Sequence, residues 1–176
     1  LIELAQKIVG DEKNVRKILE KINEWVIQNL EYGNPIPGLY RAKDILRSFA
    51  TLRTTGVPVD CGGFDTVFIT LCQALKIPAR IVSGFWAGYH VNDMHAWVEI
   101  LLPDGSWIPA DPSAQHLTIH KKTRKSGKLG FVGSDRIALS VGCDFELEVN
   151  GERFDTDILQ NPILFPENDK LEVTRI

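Results

Sequence analysis

Cysteine is scarce. The chain has three in 176 residues, at positions 61, 72 and 143, too few and too unevenly spaced for a disulfide framework. A packed apolar core must therefore hold the fold. No Cys-x-x-Cys pair occurs, so zinc is weakly supported and neither metal nor cofactor is expected. No apolar run approaches the ~20 residues that span a bilayer, and no signal-peptide pattern opens the chain. The first residue is leucine, which carries the expectation of a piece from a longer protein and leaves the compartment open. Positive charge is not in excess: 20 Lys and Arg stand against 23 Asp and Glu, a formal net charge of −3. A global basic field for nucleic acid is thereby excluded. The one basic run, residues 120–128, contains Ser, Gly and Thr and reads as a solvated loop rather than a site for an anionic partner. Repeats and low-complexity tracts are absent, and the length suits a single domain.

Against this background three residues stand out in order along the chain. Cys61 lies in Asp60-Cys61-Gly62-Gly63-Phe64, His95 opens His95-Ala96-Trp97-Val98-Glu99-Ile100, and Asp111 closes Trp107-Ile108-Pro109-Ala110-Asp111-Pro112. A nucleophile, a base and an orienting acid are all present. Phe64, Val67, Phe68, Leu71 and Leu75 recur at helical spacing, so Cys61 falls at a helix N-terminus. The unpaired amides there favour a thiolate by only ~0.3–1 kcal/mol, whereas lowering a thiol pKa by about four units takes about 5 kcal/mol. The remainder is expected from His95. Gly62 and Gly63 are expected to leave the backbone beside the sulfur open, with the Cys61 N–H as an oxyanion donor. Asp60 would oppose the thiolate unless it turns away or caps the helix.

Strand alternation puts Ala96, Val98, Ile100 and Leu102 on one apolar face and His95, Trp97 and Glu99 on the other. If Pro103-Asp104-Gly105 forms a three-residue loop, Leu102 pairs with Ser106 and Trp97 with Asp111. His95 and Asp111 then become diagonal neighbours, roughly 7–8 Å apart at the backbone. A two-residue turn would place them on opposite faces.

These segments, together with Leu71-Cys72-Gln73-Ala74-Leu75-Lys76-Ile77-Pro78-Ala79-Arg80, resemble the transglutaminase-like superfamily, the papain-like cysteine enzymes with a Cys, His, Asp order. Residues 135–142 also resemble the segment C-terminal to the core in prokaryotic members. The resemblance implies an α+β, papain-like fold with helices first and an antiparallel sheet carrying His and Asp. It implies Cys61 as nucleophile, His95 as base and then acid, and Asp111 as the group orienting the imidazole. Relatives often place a second oxyanion donor upstream of the cysteine, where this chain offers only Thr54 and Thr55. It has no acidic loop of calcium-binding spacing, so calcium activation is not implied.

The organisation expected is one domain: a helical part over 1–51 with helices at 12–32 and 42–53, a catalytic core over 52–115, a basic loop over 116–130, and strands over 131–176. The strands fall at 137–141, 145–149 and 170–176, with Asn150-Gly151 as a hairpin turn. Cys72 reads as a core residue and Cys143 as a strand-end residue. His90, His116 and His120 default to the surface, though the loop bearing His90 is expected to line the substrate cleft with Gly62, Gly63 and Trp97. Three functions are open to such a chain. The first is an enzyme that acts on peptide or glutamine-type amides of a peptide or protein substrate through an acyl-thioester, resolved by water or by an amine, with hydrolysis favoured. The second is a non-catalytic peptide-binding module, and the third is metal binding through Cys61, His95 and His90.

Overall fold

The computed structural model describes residues 1–34, 41–52, 56–87, 93–124 and 126–160. Helices gather at the N-terminal end. Helix α1 (Ile2–Val9) is followed by α2 (Val15–Asn29), which begins where the Asn14 side chain accepts from the Lys17 amide at 3.3 Å. Asparagine suits this position because its carbonyl oxygen replaces a missing intrahelical acceptor. Leu19, Ile22 and Val26 face the core on three- and four-residue steps. The chain then turns extended as β1 (Leu30–Tyr32) and, after α3 (Ala42–Leu52), returns as β2 (Val57–Val59), parallel to β1. The helix expected over 12–32 is thus shorter at both ends, and its last three residues pair as a strand.

Helix α4 (Cys61–Ala74) is the centre of the core. Phe64, Val67, Phe68, Leu71 and Cys72 are fully buried with Ile22, Val26, Val98 and Ile100. Four antiparallel strands form the main sheet: β3 (Ala79–Trp86), β4 (Asp93–Leu101), β5 (Trp107–Ala110) and β8 (Arg136–Val141), in the spatial order β5-β4-β3-β8. The hairpin register follows the longer loop. Val98 pairs with Ala110 and Leu101 with Trp107, Leu102 N–H donates to Ser106 O at 2.8 Å, and Gly105 takes φ 83°. Only glycine enters that region without strain.

Helix α5 (Pro112–Ile119) follows the hairpin at once, where the sequence suggested the end of the core and a basic loop. Proline at its first position and Asp111 as its cap are strong start signals. They are hard to see from composition, because the helix is short and weakly amphipathic. Between α5 and β8 lie β6 (Gly127–Lys128) and β7 (Phe131–Val132), and beyond β8 come β9 (Phe145–Val149) and β10 (Glu152–Thr156). β9 and β10 form the expected hairpin, with Asn150 and Gly151 both at positive φ. β8 pairs with β3 across a bulge at Ser83 and Gly84, where a β-carbon on Gly84 would run into the Ile137 carbonyl. The strand expected at 170–176 lies outside the described residues.

Candidate active site

Cys61 is the first residue of α4 and Asp60 is its cap: Asp60 Oδ1 accepts the Gly63 amide at 2.9 Å. The carboxylate beside the sulfur is therefore committed to the helix. Gly63 is buried, and a β-carbon there would come within 2.5 Å of the Val59 β-carbon. This glycine lets α4 close on β2 rather than opening a cleft, which corrects the sequence expectation for it, whereas Gly62 stays partly exposed.

The thiol differs from the expected thiolate. Burial, then the charges of Asp65 and Asp60, push the Cys61 pKa up to about 12, against the lowering effect of the Ala96 and Gly62 backbone N–H groups. At rest the sulfur is a neutral thiol. Its contact with the Ala96 amide sets it against β4 one residue from His95.

His95 is 1% exposed, and its Nε2 lies 2.8 Å from Asp111 Oδ2. Trp86 stacks on its ring at 4.2 Å between centroids and Trp97 lies at 6.4 Å. Trp97 is itself buried, so it supports the histidine from inside rather than lining an open cleft. Gln160 Nε2 donates to the carbonyls of both His95 and Gly84 at 2.9 Å.

Asp111 is wholly buried and serves several groups at once. Oδ1 accepts the Ala114 amide at 2.8 Å, capping α5, and the Ser113 hydroxyl at 3.0 Å; Oδ2 accepts from Arg136 Nη2 at 2.6 Å as well as meeting His95. Burial pushes its pKa up, but the His95, Ala114 and Arg136 interactions outweigh that and hold the carboxyl below its usual range. Arg136 is fixed in turn by Asp135 and by the Ser126 carbonyl, with its guanidinium 4.3 Å from the Trp86 ring centre. Gly127 is required close by, since a β-carbon there would come 2.8 Å from that of Asp111.

Two site residues are not apparent from the sequence reading. Arg136 is 25 residues from Asp111 in sequence and reaches it only through the β3–β8 pairing. Asp65 had a visible signal: it precedes Phe68 and Cys72 by three and seven residues and so sits on the buried stripe. It is fully buried with both carboxylate oxygens unpartnered among the described residues. Burial, then the charges of Asp111 and Asp60, raise its pKa well above the ordinary value. His90, Thr54 and Thr55 lie outside the described residues. His116 is a further correction, buried in α5 rather than at the surface. Among the described residues, the one group with metal-ligand spacing is Glu31, His116 and His120, which shares no member with Cys61 and His95.

A helix that presents a cysteine at its first residue to an antiparallel sheet carrying histidine and aspartate belongs to the class of cysteine-protease-like α+β folds. Within that class the chain belongs to the transglutaminase-like superfamily, whose profile matches residues 2–112. It is 34% identical over 87 residues to an uncharacterised protein of Haemophilus influenzae, an alignment covering 49% of this chain and 22% of that protein. It is 32% identical over 65 residues to a protein-glutamine gamma-glutamyltransferase of Pseudomonas aeruginosa, covering 31% and 10%. The chain thus spans less than a quarter of these curated relatives. Among solved structures, the periplasmic domain of TgpA from Pseudomonas aeruginosa superposes with a TM-score of 0.55 at 19% identity, covering 69% of this chain and 44% of that one. A candidate cysteine protease from Cytophaga hutchinsonii gives 0.50 at 24% identity, covering 96% and 55%. These likenesses establish the fold.

Proposed function

We propose that the chain is a cysteine-nucleophile enzyme that hydrolyses peptide or glutamine-type amides of a peptide or protein substrate, with Cys61, His95 and Asp111 as its catalytic residues. The observation that carries this reading is the buried 2.8 Å contact between His95 Nε2 and Asp111 Oδ2, one residue along β4 from the amide that meets the Cys61 sulfur. Asp111 occupies Nε2, so Nδ1 is the ring nitrogen left for the thiol. His95 takes the Sγ proton as sulfur attacks the carbonyl carbon, and the Cys61 N–H receives the developing oxyanion. Collapse breaks the C–N bond, and His95 returns the proton to the leaving amine. Water then attacks the thioester, giving up a proton to His95, and the carboxylic acid departs with the thiol restored. Asp111 fixes the ring and balances the imidazolium that forms in each half-reaction. Burial and the nearby carboxylates hold the resting thiol protonated, so His95 must take the Sγ proton for the sulfur to attack.

A second reading, resolution of the thioester by an amine, is favoured by the glutamyltransferase activity for which the Pseudomonas aeruginosa relative is named. Both readings are tested by reacting the protein with an electrophilic glutamine-containing peptide and chasing with water or a primary amine. Adduct on Cys61 followed by release in water supports hydrolysis, and release only with amine supports transamidation. Absence of any adduct while the peptide still binds identifies a peptide-binding module.

A further inference from the structure

His116 is 1% exposed, and its two ring nitrogens have different fates. Nδ1 lies 3.1 Å from the Ile27 carbonyl. A carbonyl only accepts, so Nδ1 carries a proton, and in the neutral ring Nε2 presents its lone pair. That nitrogen has no hydrogen-bond partner among the described residues, standing 3.6 Å from Glu31 Oε1. A buried acceptor left unmatched costs about 1–3 kcal/mol, and here it is aimed at two further donor groups. His120, four residues on, holds its ring 4.4 Å from that of His116. One ligand atom each from Glu31, His116 and His120 falls within 4.8 Å of the others.

We propose that Glu31, His116 and His120 form a site for one divalent cation of the zinc class, tying β1 to the C-terminal end of α5. Two imidazoles and a carboxylate are a donor set that suits zinc, with a fourth position left for water. The Ile27 carbonyl is the kind of outer partner that fixes the tautomer and orientation of a metal-binding imidazole. The location also favours positive charge, because the carbonyls of the last helical turn carry the negative end of the helix dipole. Tetrahedral zinc holds its ligand atoms roughly 3.3 Å apart, so closure asks for small rotations of Glu31 and the exposed His120 while the buried His116 stays in place. Lys122 is the competitor: its ammonium lies 2.8 Å from Glu31 Oε1 and keeps that carboxylate ionised. The metal takes over that charge contact and releases the lysine. A solvent-open cleft of roughly 760 Å³, bordered by Glu24, Gln28, Glu31, His116 and His120, gives a cation its entry path.

The test is calorimetric titration of the whole chain with zinc chloride, with Cys61 and Cys143 replaced by serine so that accessible thiols take no part. His120→Ala and Glu31→Gln change exposed or half-exposed side chains and leave the buried His116 untouched, so both should fold, as circular dichroism would check. The expected result is one equivalent of zinc and a rise in melting temperature, with affinity weakened at least ~10-fold in each variant and strengthened by Lys122→Gln. Absence of zinc binding, or affinity kept within about twofold in either His120→Ala or Glu31→Gln, would overturn the site.

Discussion

At the residue scale the candidate site rests on Asp111, which holds His95, caps α5 and receives Arg136 through two oxygens. Asp111→Asn keeps an oxygen for the cap but loses the charge and can stabilise the wrong tautomer. kcat/KM of the folded fraction is expected to fall by about 10²–10⁴, or ~3–5.5 kcal/mol of transition-state stabilisation. Melting temperature should fall as well, because Arg136 would be left beside a neutral amide in a buried setting. Steady-state kinetics normalised to folded protein separates the two effects, and unchanged kinetics with a lower melting temperature would leave Asp111 a cap alone. Asp65 acts in the opposite direction, since its charge lifts the Cys61 thiol. Asp65→Ala should therefore move the pH midpoint of Cys61 alkylation by iodoacetamide down, with the rate gain appearing at alkaline pH, where the native Asp65 carboxyl is ionised. An identical alkylation profile would show that Asp65 carries no charge that the sulfur feels.

At the element scale, the features legible in the sequence were those that periodicity and turn chemistry encode locally. The α4 stripe and the β4–β5 register came from spacing and from Gly105, because a one-residue slip would have turned His95 away from Asp111. The β9–β10 hairpin came from Asn150-Gly151. Helix α5 is not legible in the sequence because its buried residues include Ser113 and His116, so it shows no apolar stripe. Arg136 could not be found without knowing that β8 pairs with β3, and β1 was hidden by helical-looking spacing that runs through Leu30. The packing of α4 on the sheet is open to test. Phe68 is fully buried in the main core, and Phe68→Ala should cost ~3–5 kcal/mol by removing contacts and leaving a cavity. Urea unfolding would measure it, and a cost under about 1 kcal/mol would mean the core relaxes around that site.

At the scale of the whole molecule, the buried carboxyls make stability depend on pH in two opposed ways. Asp111 has a folded pKa below its unfolded one, so its contribution is present above the unfolded value and is lost as pH falls through the folded one. For Asp65 the folded pKa is raised, so the native state keeps a proton that the unfolded chain releases once pH exceeds about 3.9. Its contribution is complete below that value and drains away as pH rises toward the folded pKa. Cys61, at about 12, behaves in the same sense but only above the ordinary thiol range. Between pH 4 and pH 8, roughly, the difference between wild type and Asp65→Ala thus isolates one group. Urea midpoints measured across that range should show the variant gaining on wild type as pH rises, with the gap constant near and below pH ~4. Parallel curves would mean that Asp65 ionises as readily in the native chain as in the unfolded one. A polar partner would then satisfy it in solution, and its pull on the Cys61 thiol would have to come from a charge already present at neutral pH.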